Sequence, residues 1–182
     1  MLHRYSEVLN LPVICAGDGS KAGVVKDILF SIRDRKAKAL LLEQKGLSAR
    51  KRVVLLSKLL NLGGGAVIID NRDCIEEMDS TAFKNAFGDD GSLIGTKVYS
   101  KAGDEVGVAR DVIFDLHTGR IEGFEISDGL LQDVMKGRKL LPLLGKVELG
   151  REIAVVDTEA VEEMKETGGG LKNKLSGLQN DS

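Results

Sequence analysis

GVVKDILFSI spans Gly23–Ile32, and GVARDVIFDL spans Gly107–Leu116. The two stretches place Gly, Val, Asp and Phe identically at an offset of 84 residues. Each reads as a β-strand. In the first, one face takes Val24, Ile28, Phe30 and Ile32, and the other takes Val25, Asp27, Leu29 and Ser31. The second follows, with Val108, Val112, Phe114 and Leu116 set against Ala109, Asp111, Ile113 and Asp115. A period of two with one richer apolar face is the pattern of a half-buried strand. Lys26 and Arg110 fall on the richer face. Either they snorkel there at the mouth of a barrel, or a bulge shifts the parity at that point.

The likeness extends outward. At the same offset Leu9 falls on Leu93 and Gly19 on Gly103; after a slip of three residues, Arg52–Asp70 lies over Lys139–Asp157. Both copies close on an acidic pair and a methionine, Glu76-Glu77-Met78 and Glu162-Glu163-Met164, for which a short helix each is expected. The chain is therefore a duplication. Its expected parts are a first domain over 1–79, a linker over 80–91, a second domain over 92–166 and a flexible tail over 167–182, rich in Gly, Asn and Ser. Within the linker, Ala82-Phe83 and Ala86-Phe87 are spaced for a helical turn. Pro12–Cys15, Ala22–Ile32, Ala37–Glu43, Val53–Leu56 and Ala66–Ile69 read as strands of the first copy; Ile121–Ser127, Leu140–Leu144 and Ile153–Val156 read as strands of the second. Short strands joined by tight turns predict an all-β fold of two tandem small barrels, closed or nearly so, with short helical segments.

Composition bounds the rest. The 182 residues carry 26 basic and 28 acidic side chains, a formal charge of −2, so no global basic field draws the chain to nucleic acid or anionic lipid. Tryptophan is absent and aromatics are only 4%, which leaves little material for base stacking. The opening MLHRYSEVLNLPV lacks a signal-peptide layout, and apolar runs such as VVLLSKLLNL are too short to span a bilayer. A soluble cytoplasmic protein without a membrane span is expected, with Cys15 and Cys74 as buried free thiols.

The motifs resemble the PRC-barrel family. They stand here as Leu93-Ile94-Gly95-Thr96-Lys97-Val98, then Gly107–Phe114, and in the first copy as Arg52-Val53-Val54-Leu55 with Ala66-Val67-Ile68-Ile69-Asp70. The resemblance covers both copies. It implies a small β-barrel and an adaptor role, as in the cytoplasmic part of the photosynthetic reaction centre H subunit and the C-terminal half of the ribosome maturation factor. With no transmembrane helix and no separate maturation-factor domain, the expectation is a tandem-barrel member among the small prokaryotic proteins of undefined role.

Candidate site residues are few. Asp27 and Asp111, with Gly23 and Gly107, are repeat positions. The carboxylates read either as a paired site or as acceptors for neighbouring backbone donors, and no repeated His, Lys or Ser completes an acid–base set beside them. His3 and His117 read as surface residues, since no Cys or His cluster makes a zinc site. Gly63-Gly64-Gly65 precedes a strand and reads as a turn, not a phosphate loop. Arg50-Lys51-Arg52 is the densest basic run, a contact for RNA or an acidic protein or else a solvated strand end. Leu130, Leu131, Val134 and Met135 recur at helical spacing and read as packing on their own barrel or as a docking face. The reading is a non-enzymatic adaptor with no cofactor or metal and an unidentified protein partner; a homo-oligomer is compatible with it. The alternative is RNA or ribosome association through Arg50–Arg52.

Overall fold

The computed structural model describes residues 1–44, 46, 48–88, 92–127, 139–150 and 152–166. Its contacts divide the chain into two units. One holds Tyr5–Asp90 together with Leu116–Arg120; the other holds Met1–Arg4, Gly91–Asp115 and Ile121–Ser182. The grouping follows the repeat except at two short segments, each of which belongs with the opposite copy. The three-residue strand β1 (Leu2–Arg4) is one of them.

The first unit opens with a single helical turn, α1 (Tyr5–Val8), then β2 (Pro12–Cys15), β3 (Lys21–Ser31), β4 (Lys36–Leu42) and β5 (Lys51–Leu55). A 3-10 turn, Leu56–Lys58, leads into β6 (Leu59–Leu62) and β7 (Val67–Ile69). A second, Arg72–Cys74, leads into β8 (Ile75–Met78), and α2 (Ser80–Phe87) follows. The strands form one curled sheet in the order β6-β7-β2-β3-β4-β5-β8, antiparallel except where β2 runs parallel to β7. Among the described residues β6 and β8 do not pair, so hydrogen bonds do not close the barrel. The core is the inner face: Val13, Val25, Leu40, Leu42, Val53, Leu62 and Ile69 are almost wholly buried.

The second unit repeats the plan with β9 (Lys97–Ser100), β10 (Glu105–Asp115), β11 (Ile121–Ser127), β12 (Lys139–Pro142), β13 (Glu148–Leu149) and β14 (Ile153–Val156). Its order is β12-β11-β10-β9-β14-β13, with β14 parallel to β9, and β1 adds to β10. Leu2 lies opposite Asp115, His3 opposite Phe114 and Arg4 opposite Ile113.

The parity question resolves as a bulge. In β3, Val25 faces Leu42 and Asp27 faces Leu41, so Lys26 is an extra residue without a partner and points to solvent. In β10, Arg110 is extra in the same way, between Ala109 opposite Ile126 and Asp111 opposite Glu125. The buried positions before the bulge are therefore Val25 and Ala109, not Val24 and Val108. A second shift follows in each hairpin, with the extra residue on the return strand: Lys38 in β4 and Glu122 in β11. Bulges bend a strand and raise its twist, and a small sheet needs both in order to curl.

The acidic closing segments part company. Glu76-Glu77-Met78 is not a helix but strand β8, paired with β5 with Arg52 opposite Glu77. Pairing with the sheet overrides the helical preference of glutamate. The second copy does form a helix, α3 (Thr158–Glu166), whose Ala160, Val161 and Met164 are buried in an apolar stripe and which packs on β12. In α2 the Asp79 carboxylate accepts from the Ala82 N–H at 2.8 Å, and Gly88 at φ 74° ends the helix. Its Phe83 and Phe87 rings lie 5.3 Å apart, and the helix packs on β3 and β8.

Candidate docking groove

The basic run does not form one surface. Arg50 is exposed, and its N–H donates to Ser48 Oγ. Lys51 places its ammonium 5.9 Å from the centre of the Phe83 ring. Arg52 is only 6% exposed; its guanidinium donates to the carbonyls of Ala22 at 2.9 Å and Glu43 at 3.2 Å, bracing β3 against β4 and β5. Residues on successive positions of a strand alternate faces, and the sequence run alone does not show which one turns inward. Leu131, with the rest of its loop, lies outside the described residues.

Asp27 and Asp111 belong to separate units. Each accepts from the N–H of the following residue at 2.8 Å, Ile28 in one case and Val112 in the other. The carboxylate thereby satisfies a backbone donor beside the bulge. Asp27 also accepts from the Tyr5 hydroxyl at 2.9 Å. Asp111 is 1% exposed and lies opposite Glu125, itself buried, whose carboxylate pairs with Arg4 of β1. The first copy has Leu41 where the second has Glu125.

The repeat glycines differ in the freedom they use. Gly107 sits at φ 144°, and a Cβ there would run into the Ser127 carbonyl and Ile126. Gly23 has ordinary backbone, and a Cβ would come 3.2 Å from Leu42 Cδ1. His117 is exposed, but His3 is half-buried, its ring centre 6.2 Å from that of Phe114. Gly63 donates to Ala66 in the turn between β6 and β7. Cys15 and Cys74 are both free thiols, but Cys74 is only half-buried. Among the described residues no group of three or more His, Cys, Asp or Glu is placed to hold a metal ion. Likewise, no helix is long and apolar enough to cross a membrane.

The first unit carries a groove of about 890 Å³. Its floor is apolar, built from Phe30 at the end of β3, Leu55 and Leu56 at the end of β5, Met78 of β8 and Phe87 of α2. One wall is the β3–β4 hairpin with Arg33, Asp34, Lys36 and Lys38. Lys38 binds Asp34 at 2.6 Å, and this hydrogen bond, with the charge behind it, holds the Asp34 carboxyl below its usual value. Glu76 stands elsewhere on the lining. His117, Thr118 and Gly119 complete it. They are carried to the hairpin by a backbone bond from the Ala37 N–H to the Gly119 carbonyl at 2.7 Å and by a bridge between Lys36 and Arg120. In the sequence, Arg33–Lys36 and His117–Arg120 are two short polar stretches far apart. No local signal joins them, because the groove draws on segments far apart in the chain.

Two curled sheets of the same strand order, each with the same two hairpin bulges, define a tandem small-barrel protein. The PRC-barrel domain model matches residues 1–73 and 89–162, and the chain belongs to that family, with two copies of the domain. The family is generally non-catalytic. No curated protein matches the chain significantly.

Proposed function

We propose that the protein is a non-enzymatic cytoplasmic adaptor that binds another protein, with the groove of the first unit as its docking surface. The groove carries this reading: an apolar floor inside a polar rim is the build of a recognition site. Membership of a generally non-catalytic family supports it. Fold alone does not assign a role, and the weight rests on the groove. An RNA-binding role through Arg50–Arg52 is weaker, because Arg52 is buried against backbone carbonyls and offers no charge to a phosphate.

The test is purification of the tagged full chain from its native lysate, with and without RNase, read by mass spectrometry. A protein partner retained after RNase, and lost when the groove is filled by Ala86→Trp, is the expected result. Partners that vanish with RNase would replace the adaptor reading with the RNA one.

A further inference from the structure

We propose that the groove of the first unit takes a peptide segment of the partner protein that anchors an apolar side chain on the floor and presents carboxylates to Arg33 and Lys36. This rests on the adaptor reading and gives its partner a chemistry. The volume of about 890 Å³ holds several side chains, near the upper end of ordinary ligand pockets. The charge on the lining is uneven. The protein as a whole is acidic, at −2, yet the hairpin wall carries Arg33, Lys36 and Lys38 against Asp34 alone. Lys38 already engages that aspartate. Arg33 and Lys36 have no carboxylate within ion-pair distance among the described residues, so two cations beside an apolar floor await an anion. Glu76, also without an ion-pair partner among the described residues, repels an acidic ligand from its own part of the lining and so sets how the peptide lies. Opposite charges at a rim choose the partner and its direction more than they add affinity; the buried apolar anchor supplies the affinity.

This surface suits a peptide better than RNA. Glu76 would oppose a continuous phosphate backbone along the lining. The small exposed Ala86 on α2 leaves that side of the groove low enough for a chain to enter.

The experiment presents the full chain to a displayed library of random peptides and, in parallel, to a labelled oligouridine RNA. Three variants accompany it: the double change Arg33→Glu with Lys36→Glu, the groove-filling Ala86→Trp, and Arg50→Glu outside the groove as control. Circular dichroism and the thermal midpoint establish that each folds. The expected result is enrichment of peptides that pair an apolar residue with Asp or Glu. Their affinity should fall about tenfold or more in the first two variants and stay unchanged in the third. Changing the peptide acids to Lys should restore binding to the charge-reversed protein.

Basic peptides, no enriched peptides, or enriched peptides indifferent to both groove variants would overturn the proposal. So would capture of the RNA in place of peptide, or a concentration-dependent dimer abolished by Ala86→Trp, which would put a second copy in the groove. If purification recovers a protein partner that Ala86→Trp releases but the charge reversal at Arg33 and Lys36 still holds, the inference fails while the adaptor reading stands. If it recovers no protein partner, the adaptor reading fails with it.

Discussion

Single residues show where the two copies have diverged. Glu125 stands at the place of Leu41, and the change brings a buried carboxylate that pairs with the arginine of β1. Removing one member of such a pair costs most when the charge left behind is the buried one. Arg4→Ala should therefore destabilise the second unit by about 2 kcal/mol, less than a fully buried pair because Arg4 stays 29% exposed. Glu125→Leu, which restores the side chain of the first copy, should cost clearly less, since Arg4 can turn to water. Chemical denaturation of the two variants checks the order, and equal losses would refute it.

Asp157 behaves differently because it lies nearer solvent. It binds the Lys101 ammonium and accepts the Lys146 N–H at 2.7 Å, and these two bonds, the Lys101 one first, hold its carboxyl below the usual 3.8. A depressed folded value means stabilisation that is present above the unfolded value and lost as pH falls through the folded one. Asp157→Asn should lower the melting midpoint at neutral pH, and the deficit should close as pH falls below 3.8 and through the depressed folded value. A deficit independent of pH would mean that the charge contributes nothing.

Among elements, the strands with clean alternation were legible in sequence and those set by distant partners were not. Pro12–Cys15, Ile121–Ser127 and Ile153–Val156 read at their observed bounds because apolar residues and turn signals frame them. β1 carries no sequence signal, because three residues show no period and their partner strand lies more than a hundred positions on. β8 read as helix because its glutamates favour one, while its pairing with β5 is tertiary. The bulges at Lys26 and Arg110 showed only as a parity conflict, since an extra residue is defined by the strand opposite. The groove was not legible at all. Its floor combines β3, β5, β8 and α2, and no run of sequence contains them together.

The close crossing of β10 and β11 yields a sharp comparison. Gly107→Ala meets a positive φ and the Ser127 carbonyl at once, and should cost about 3 kcal/mol. Gly23→Ala meets the end of the Leu42 side chain at 3.2 Å and the Arg52 guanidinium at an ordinary 3.5 Å, and should cost about 1 kcal/mol or less. Thermal denaturation of the pair distinguishes a conformational demand peculiar to the second copy from one common to both.

At the scale of the whole molecule, the repeat boundary is not where the contacts divide. Met1–Arg4 belongs with Gly91–Asp115, and Leu116–Arg120 belongs with Tyr5–Asp90. A fragment cut at the repeat boundary, residues 92–166, lacks β1. It leaves Ile113–Asp115 without their strand partner, Phe114 without the His3 ring, and Glu125 without Arg4. The fragment should melt below the same unit in the full chain, and adding residues 1–4 back as a peptide should raise its midpoint. A fragment as stable as the full chain would show that β1 contributes nothing to the unit it joins.

β1 also has a meaning in time. A ribosome releases a chain from its beginning, and domains tend to settle in the order in which they emerge. Leu2–Arg4 precedes β2 to β8 in the chain but has its ladder on Ile113–Asp115. While β2 to β8 are already free to pair among themselves, the opening strand must wait, with its backbone donors on water, until β10 has been made. Maturation of the second barrel therefore depends on a segment synthesised before the first one, and a nascent chain stalled anywhere short of Asp115 carries that strand loose.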